Sequence, residues 1–543
     1  MDFRLHPSTA RRSSTARRSS TARRPSTAGR RTALLAAATG LLLTGIAACS
    51  PARSDTADVS LAALPSSDET RLSAYYDQTP KWRKCGAPGF ECATLKAPLD
   101  YDKPSAGDID LAVSRKKATG PGKHLGSLLV NPGGPGGSAI GYLQAYAGIG
   151  YPKKVRAGYD MVAVDPRGVA RSAPVTCLEG KQMDTYTQTD VTPDDEREQK
   201  QLSAAFDRFA SGCQTADRVS RRVLPHVSTV EAARDMDLVR AAVGDEKLNY
   251  VGASYGTFLG ATYAGLYPER VGRLVLDGAM DPSLPSRELN RQQTAGFETA
   301  FQSFAKDCVA RSGCPLGTGT PKQAGRRLKS FFNELDRAPI GAGDADGRKL
   351  GEALATTGVI AAMYDEGAWP QLREALTAAM TKKDGAGLLA LADSYYERDA
   401  DGTYTNLMAA NAAVNCLDQQ PSFTSAKEVE DALPSFEKAS PVFGAGLAWA
   451  ALNCASWPVK PTGEAHRITA DGAAPIVVVG TLRDPATPYP WAKALAGQLS
   501  SGHLLTYDGD GHTAYGRGSD CIDAAIDTYL LTGTPPKDGK RCS

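Results

Sequence analysis

Six short apolar runs, each closed by a Gly, Pro or Asp turn, constrain the fold of this chain most. They span residues 125–130, 159–164, 248–251, 273–276, 475–479 and 503–507. Continuous apolar runs of this length are typical of strands buried on both faces of a parallel sheet. Helical patterns separate them, and Ser228-Thr-Val-Glu231 predicts a capping box before a helix over 232–243. The alternation predicts an α/β fold with a mostly parallel, doubly wound sheet, whose functional residues gather at the C-terminal ends of the strands.

A long helical segment interrupts this alternation. Residues 286–470 are rich in Ala, Leu and helix-compatible charged residues and contain no convincing buried strand. We expect an inserted helical cap over the sheet, because a cap supplies walls that select substrates and exclude water. The predicted core is therefore divided, with its first part at 79–285 and its second part at 471–543.

The N-terminus has the composition of an export signal. Residues 8–31 repeat a Ser-Thr-Ala-Arg-Arg theme, and the stretch from Thr32 to Ala48 is uncharged and mainly apolar. A basic region followed by a short apolar region predicts a signal peptide over 1–48. The pair Arg30-Arg31 also resembles a twin-arginine export signal.

Small residues precede the first cysteine of the chain. The sequence Ile46-Ala47-Ala48-Cys49 resembles a bacterial lipobox, which implies that Cys49 is lipidated and becomes the mature N-terminus. A plain secretory signal that ends near Cys49 is the alternative. The next residues are rich in Ser, Ala, Asp and Thr, so we predict a flexible tether over 49–78. The expected location is the cell surface, with the protein anchored to the membrane or secreted.

The charge balance changes once the N-terminus is set aside. The 543 residues carry a net charge of +2, but nine Arg and one acid precede Cys49, and the remainder carries 53 basic and 59 acidic residues. A mildly acidic body argues against a nucleic-acid partner. No second apolar run is long enough to cross a bilayer, which excludes multi-pass transport. We expect a monomer that meets the membrane only through the lipid at Cys49.

Ten cysteines remain besides Cys49, and outside the cytosol an even number is expected to form disulfides. Short separations favour the pairs 85–92, 308–314 and 521–542, and the simplest remainder is 177–213 and 416–454. Other pairings are compatible with the sequence. A metal site is the competing interpretation, but the chain has no Cys-x-x-Cys and no His at ligand spacing from a Cys pair. We therefore expect no metal.

A candidate nucleophile lies in the turn Gly252-Ala-Ser254-Tyr-Gly256. This turn follows an apolar run and precedes a segment of small residues that can form a helix against the sheet. A strand, a Gly-x-Ser-x-Gly turn and a helix in that order predict a nucleophile elbow, in which strain holds the Ser254 hydroxyl out of the sheet. A structural Gly-Ser turn is the alternative.

The partners of a nucleophilic serine are expected later in the chain, in the order Ser, Asp, His. Asp484 follows the run at 475–479, and His512 lies in Asp508-Gly-Asp-Gly-His512 after the last run. We predict that His512 is the general base and that Asp484 orients it. Asp277 also ends a strand and is the rival acid. The other histidines that follow the predicted signal lie away from the late strand ends or, for His503, at the start of the last run.

An oxyanion hole completes the predicted site. The backbone N–H of Tyr255 is one expected donor, because it directly follows the nucleophile. The glycine run Asn131-Pro-Gly-Gly-Pro-Gly-Gly137 supplies the other, with Gly134 as our choice and Gly133 as the alternate. A phosphate-binding loop is the competing interpretation, but Gly-x-Gly-x-x-Gly is absent and two prolines remove donors. Hydrolysis by such a triad needs no cofactor.

These motifs together resemble a known family over residues 80–543. Asp165-Pro-Arg-Gly168, Asn415-Cys-Leu-Asp418 and Cys454-Ala-Ser-Trp-Pro458 join the glycine turn, the Ser254 turn and the acid and His512 motifs. The set resembles α/β-hydrolase serine exopeptidases related to proline iminopeptidase, and above all the secreted tripeptidyl aminopeptidases of actinobacteria. That resemblance implies an α/β-hydrolase fold and release of short peptides, commonly tripeptides, from free N-termini. Asn131 stands where proline iminopeptidases carry a His, which disfavours prolyl specificity.

Peptide substrates with free N-termini require a carboxylate that binds the α-amine. The predicted cap offers Asp365, Glu366, Glu397 and Asp418, of which we select Glu366 and Asp418. Each could equally be a solvated surface acid. Two other functions remain open: a secreted esterase or lipase with the same triad, and a surface lipoprotein that uses an inactive hydrolase scaffold to bind peptides.

Overall fold

The computed structural model describes residues 59–65 and 70–543. The predicted signal peptide, the lipidation site Cys49 and the first part of the predicted tether lie outside these residues. Within the described ranges, no helix combines the length and the apolar character needed to cross a membrane.

One mixed sheet forms the centre of the protein. Its strands and those of a short hairpin are β1 Arg83–Lys84, β2 Glu91–Pro98, β3 Asp108–Lys116, β4 Ser127–Asn131, β5 Asp160–Val164, β6 Leu248–Ala253, β7 Val271–Asp277, β8 Ile340–Gly341, β9 Lys349–Leu350, β10 Ile476–Arg483, β11 Gly502–Asp510 and β12 Lys540–Cys542. The ten-stranded sheet has the order β1-β2-β3-β5-β4-β6-β7-β10-β11-β12, and β8 pairs with β9. From β5 to β12 all neighbours are parallel, whereas β1, β2 and β3 form an antiparallel edge.

All six predicted strands are confirmed, and all belong to the parallel part of the sheet. Burial on both faces explains why their apolar runs are continuous, as in β4, where every residue is buried. The sequence did not predict β2 and β3. In β3 the buried apolar residues Ile109, Leu111 and Val113 alternate with exposed or half-buried ones, so no continuous apolar run marks this strand. This topology confirms the predicted α/β-hydrolase fold.

Helices cover both faces of the sheet. The helices before residue 286 are α1 Ser73–Tyr76, α2 Ala139–Tyr142, α3 Gly148–Gly150, α4 Lys153–Gly158, α5 Gly180–Thr187, α6 Glu196–Thr215, α7 Arg218–Val223, α8 Thr229–Ala242 and α9 Tyr255–Leu266. Two core clusters lie on opposite faces of the sheet. One contains Leu129 and Val478 and the other contains Leu128 and Val477, as the alternation of side chains along each strand requires.

Eight helices follow residue 285 before the chain returns to the sheet. They are α10 Ser286–Val309, α11 Pro321–Arg337, α12 Glu352–Met363, α13 Trp369–Lys382, α14 Ala386–Tyr396, α15 Leu407–Asp418, α16 Ala426–Ala439 and α17 Gly444–Ala450. A separate apolar cluster, which includes Phe301, Phe304, Phe331 and Phe332, holds α10 to α14 together. The short β8–β9 hairpin in this segment was not predicted. The chain then adds α18 Tyr489–Gln498 and α19 Asp520–Thr532 to the sheet.

The described part of the predicted tether is bound to the body of the protein. The N–H of Leu61 donates to the carbonyl of Arg467 at 2.8 Å, and the N–H of Leu64 donates to that of Leu266 at 3.0 Å. Both leucine side chains pack against a core cluster. Leu61 and Leu64 therefore do not belong to a free tether, because these apolar residues gain more from burial than from exposure to solvent.

Helix α8 begins three residues earlier than the sequence predicted. Ser228 caps it by accepting the N–H of Glu231 at 3.3 Å. The carboxylate of Glu231 lies 3.3 Å from the buried guanidinium of Arg167 and 3.3 Å from His226. Only one half of the predicted capping box is formed, because that carboxylate contacts Arg167, His226 and the Ser228 hydroxyl instead of the Ser228 backbone N–H.

All ten cysteines outside the N-terminus are paired, and every predicted pair is confirmed. The disulfides are Cys85–Cys92, Cys177–Cys213, Cys308–Cys314, Cys416–Cys454 and Cys521–Cys542. The pair Cys416–Cys454 joins the end of α15 to the segment that follows α17.

Loop length predicts which disulfide stabilises the protein more. Replacing Cys416 and Cys454 by Ala opens a loop of sequence separation 38, whereas the matched change at Cys308 and Cys314 opens a loop of 6. Chain entropy predicts that the free energy of unfolding falls by about 4 kcal/mol without Cys416–Cys454 and by about 2 kcal/mol without Cys308–Cys314. Urea unfolding of both double variants measures the two losses. Equal losses would contradict the entropic explanation.

Candidate active site

The backbone at Ser254 is strained in the way that a nucleophile elbow requires. Ser254 lies between β6 and α9 with φ 57° and ψ −126°. A residue with a side chain held in a sparsely populated region costs about 1–3 kcal/mol, and surrounding structure must maintain it. The N–H of Ser254 donates to the carbonyl of Asp277 at 2.9 Å, which fixes the turn to the end of β7.

The glycines on either side of Ser254 allow this tight turn. A Cβ atom added at Gly252 would overlap the carbonyl oxygen of Gly256 and lie 2.5 Å from the ring of Tyr250. A Cβ atom added at Gly256 would lie 2.9 Å from the carbonyl oxygen of Asn131. Both positions therefore exclude side chains, because β6, α9 and β4 approach one another too closely.

Asp484 and His512 form the predicted pair. Nδ1 of His512 lies 2.8 Å from Oδ1 and 3.0 Å from Oδ2 of Asp484, which is fully buried. The carboxylate also accepts the backbone N–H groups of Ala486 and Thr487 at 2.9 Å each and of Thr513 at 3.2 Å. A carboxylate held on three sides by N–H donors orients the imidazole with Nδ1–H toward it, which leaves Nε2 as a base.

The end of β7 brings His512 and Ser254 into one region. Asp277 accepts the N–H of Ser254, and a Cβ atom added at Gly278 would lie 3.2 Å from Cε1 of His512. Nε2 of His512 is buried and has no hydrogen-bond partner within the described residues. Ser254 and Nε2 of His512 therefore form no hydrogen bond in this structure, although the end of β7 lies against both residues.

The glycine loop after β4 lies against the Ser254 turn. A Cβ atom added at Gly133 would lie 2.8 Å from Cβ of Ser254 and 2.9 Å from the nitrogen of Tyr255. The N–H of Gly133 donates to Oδ1 of Asn131 at 2.8 Å, so it is already used within the loop. The N–H groups of Gly134 and Tyr255 form no hydrogen bond with any described residue. This difference favours Gly134 over Gly133 as the second donor.

Helix α15 contacts the glycine loop. Nδ2 of Asn411 donates to the carbonyl of Pro135 at 3.0 Å, and a Cβ atom added at Gly136 would overlap the carbonyl oxygen of Leu407. The cap segment is therefore in direct contact with the loop that carries the predicted oxyanion donor.

The segment between α12 and α13 contacts His512 from another side. The carbonyl of Tyr364 accepts the N–H of His512 at 2.8 Å, and the Tyr364 ring meets the imidazole edge-on with centroids 5.4 Å apart. The guanidinium of Arg517 donates to the Tyr364 carbonyl at 3.0 Å and to Asp365 at 2.9 Å. The sequence did not predict these contacts, since they join residues about 150 positions apart.

Asp277, the rival acid, does not contact the imidazole ring by a hydrogen bond. Its carboxylate accepts the N–H groups of Ala514 at 3.0 Å and Tyr515 at 2.8 Å, directly after His512. Burial raises the pKa of Asp277, and these backbone donors oppose that effect. Asp484, not Asp277, is the partner of His512.

The remaining described histidines have other partners. His124 contacts Asp160, His226 contacts Glu231 and His466 contacts the carbonyl of Glu464. His503 is the second residue of β11.

The two selected amine-binding candidates lie in different environments. Asp418 accepts the backbone N–H of Thr229 at 2.8 Å and its hydroxyl at 2.5 Å, so it holds the start of α8. Burial raises the pKa of Asp418 to about 7. Glu366 is exposed and lies two residues after Tyr364, which contacts His512. Both oxygens of Asp418 are used in the fold, whereas the Glu366 carboxylate accepts no hydrogen bond from a described residue.

Three carboxylates outside this region approach one another. Oxygens of Asp190, Asp336 and Glu352 lie within 4.8 Å of each other. Burial and the neighbouring acids raise the pKa of Glu352 to about 7, and the Thr192 hydroxyl donates to this carboxylate at 2.5 Å. The sequence did not predict this cluster. Carboxylates alone do not define a metal site. The raised pKa of Glu352 and the hydrogen bond from the Thr192 hydroxyl already offset part of the repulsion between the three acids.

Packing around the elbow predicts a stability difference between two glycine substitutions. Gly252→Ala introduces an overlap with backbone and should lower the free energy of unfolding by about 2–3 kcal/mol. Gly497→Ala in α18 meets no atom within 4 Å and should raise it by about 0.5 kcal/mol. Chemical unfolding of both variants tests this. If Gly252→Ala left the free energy of unfolding unchanged, the turn around Ser254 would have to be packed more loosely than these distances indicate.

Comparisons with known proteins show the family of this chain. A family model described as TAP-like protein matches residues 440–542, which contain Asp484 and His512. Serine protease Hip1 of Mycobacterium tuberculosis is 39% identical over 464 residues, which is 84% of this chain and 87% of Hip1.

Two further relatives carry different activities in their names. Carboxylesterase B of Mycobacterium tuberculosis is 36% identical over 457 residues, 83% of this chain and 86% of that protein. Tripeptidyl aminopeptidase of Streptomyces coelicolor is 31% identical over 473 residues, 83% of this chain and 84% of that protein. The chain therefore belongs to the family of α/β-hydrolase serine hydrolases that contains mycobacterial Hip1 and the Streptomyces tripeptidyl aminopeptidases.

Proposed function

We propose that this serine hydrolase is an aminopeptidase that releases short peptides from free N-termini through Ser254, His512 and Asp484. The observation that carries the proposal is the buried His512–Asp484 pair. Nε2 of His512 has no hydrogen-bond partner among the described residues, and the end of β7 lies against both the His512 loop and the strained turn at Ser254. A merely structural Ser254 turn would need neither the strain nor the oriented imidazole.

The proposed reaction has two halves. In the first, Nε2 of His512 takes the proton of the Ser254 hydroxyl as Oγ attacks the scissile carbonyl carbon, and the imidazolium then protonates the leaving amine. The N–H groups of Tyr255 and Gly134 stabilise the oxyanion of the tetrahedral intermediate. In the second half, water attacks the acyl-enzyme with His512 as base, and Ser254 regains its proton. Asp484 stabilises the imidazolium throughout.

The substrate class is supported by the relatives and by the motifs. Hip1 is named a serine protease and the Streptomyces relative a tripeptidyl aminopeptidase, so a tripeptide is the product we propose. A carboxylesterase is the second candidate function, since a relative of similar identity carries that name. The alternative of an inactive peptide-binding scaffold is disfavoured, because binding alone does not require an oriented imidazole.

An aminopeptidase must bind a protonated α-amine at a fixed distance from Ser254. We propose Glu366 for this role, because it is exposed on the cap segment whose Tyr364 contacts His512. Asp418 is a poorer candidate than the sequence suggested, because the N–H and hydroxyl of Thr229 occupy its carboxylate. Glu397 accepts the hydroxyl of Thr405 at the end of α14 and is the third candidate.

We also propose export and attachment through a lipid at Cys49. The basic and apolar regions before Cys49 and the lipobox-like residues support this location. Five disulfides are a further support, since they persist in oxidising compartments. Peptides outside the membrane are then the substrates.

Removal of the nucleophile tests the mechanism. Ser254→Ala should lower kcat on a tripeptide anilide by a factor on the order of 10⁶, because the members of a triad act as a unit. The parent should also have a much higher kcat/KM on the tripeptide anilide than on a short-chain ester. Near-normal activity of Ser254→Ala would remove this residue from its role, and a preference for the ester would favour the carboxylesterase.

A comparison of free and N-acetylated tripeptide anilides tests the amine anchor. Losing a charged hydrogen bond costs about 1.5–3 kcal/mol, so Glu366→Gln should lower kcat/KM on the free peptide about 10- to 100-fold. The variant should leave the slow cleavage of the acetylated peptide unchanged. Glu374→Gln, at an exposed position on α13, is the matched control and should change neither rate. Equal rates for both peptides with the parent enzyme would exclude an amine anchor.

A further inference from the structure

The end of β7 contacts all three segments that carry the proposed triad. The carbonyl of Asp277 accepts the N–H of Ser254 at 2.9 Å, and the N–H of Gly278 donates to the carbonyl of Val479 in β10 at 3.1 Å. Strand β10 leads directly to Asp484. The carboxylate of Asp277 accepts the N–H groups of Ala514 and Tyr515. One dipeptide therefore holds the serine turn, the acid strand and the histidine loop.

The Asp277 carboxylate is the part of this junction that holds the histidine loop. Oδ2 lies 3.0 Å from the nitrogen of Ala514 and 2.8 Å from that of Tyr515, and Oδ1 lies 3.0 Å from the nitrogen of Ala514. The side chain is almost completely buried, so water cannot replace these acceptors. The two donors follow His512 by two and three residues. The buried carboxylate therefore fixes the position of the loop that carries the imidazole.

Gly278 provides a second, independent observation. Its φ is +69°, and an added Cβ atom would lie 3.2 Å from Cε1 of His512 and 3.1 Å from Oγ1 of Thr487. The imidazole is thus packed directly on the backbone that follows Asp277.

We infer that Asp277 is a positioning residue of the hydrolytic site: its carboxylate sets the place of His512 relative to Ser254 by holding the N–H groups of Ala514 and Tyr515. Asp484 orients the imidazole about its own axis, and Asp277 fixes the loop that carries it. This inference rests on the proposed function of Ser254 and His512. A misplacement of about 1 Å in a catalytic group can lower a rate about 10²-fold.

Two substitutions at Asp277 separate hydrogen bonding from charge. In Asp277→Asn the amide oxygen can take the place of Oδ2 and still accept both N–H groups. The amide nitrogen then takes the place of Oδ1, 3.0 Å from the Ala514 nitrogen, so the anchor is weakened but kept. Asp277→Ala removes both acceptors. We expect kcat of the Asn variant about fivefold lower than that of the parent and kcat of the Ala variant about 100-fold lower. KM should stay within about threefold in both, because the carboxylate does not face the substrate.

Labelling by a fluorophosphonate measures the same effect without a peptide substrate. Ser254 Oγ displaces fluoride at phosphorus while His512 accepts the serine proton, so the labelling rate depends on His512 being in place. Asp277→Ala should be labelled about 100-fold more slowly than the parent and Ser254→Ala not at all. Normal labelling of Ser254→Ala would overturn the proposed function itself. Normal labelling of Asp277→Ala, with Ser254→Ala inert, would overturn only the role of Asp277.

A matched control separates positioning from general destabilisation. Asp281 is equally buried, and its carboxylate accepts the N–H of Ser283 at 3.0 Å and Nε2 of Gln498 at 2.8 Å, away from the histidine loop. Asp281→Ala should lower the thermal midpoint yet leave the labelling rate within about twofold. An equal loss of labelling in Asp281→Ala and Asp277→Ala would overturn the inference. If Asp277→Ala does not fold, Asp277→Ser serves instead, because its hydroxyl is too short to reach both N–H groups.

Discussion

Close packing of backbone around the Ser254 turn is the constraint on which the site depends. Strained φ and ψ angles at Ser254 persist only because β6, α9 and the glycine loop leave the chain no room to relax. Gly252 and Gly256 permit that approach, and the hydrogen bond to Asp277 fixes the direction of the turn. The rigidity of the surrounding strands holds the Ser254 hydroxyl outside the sheet. Packing of the core therefore maintains the strained backbone conformation of this residue.

The burial of each strand explains how much of the fold could be predicted from the sequence. Strands buried on both faces are continuous apolar runs, so β4 and β10 were recognised. The buried apolar residues of β3 alternate with less buried ones, and this strand was missed. The order of Ser254, Asp484 and His512 followed from the predicted strands. Disulfides of short separation, such as Cys308–Cys314, were predicted because loop closure favours near neighbours.

Contacts between distant residues could not be predicted in this way. The bond from Ala514 to Asp277 spans 237 positions, and the bond from Thr229 to Asp418 spans 189. Asp418 was expected to face the substrate, but its position at the start of α8 is set by tertiary packing. No local pattern distinguishes an acid that binds a ligand from one that binds a backbone N–H.

The cap contributes to the site as well as covering it. Tyr364 contacts the imidazole, and Asn411 holds the glycine loop, so cap helices touch both sides of the proposed reaction centre.

A crystal structure of the enzyme with a tripeptidyl phosphonate bound at the site tests whether Ser254, His512 and Asp484 act as a triad. We expect phosphorus bonded to Oγ of Ser254 and Nε2 of His512 within hydrogen-bond distance of that oxygen. We also expect a phosphonyl oxygen facing the N–H groups of Tyr255 and Gly134. Phosphorus on another residue, or an imidazole that stays beyond hydrogen-bond distance of the Ser254 oxygen, would contradict the proposed triad.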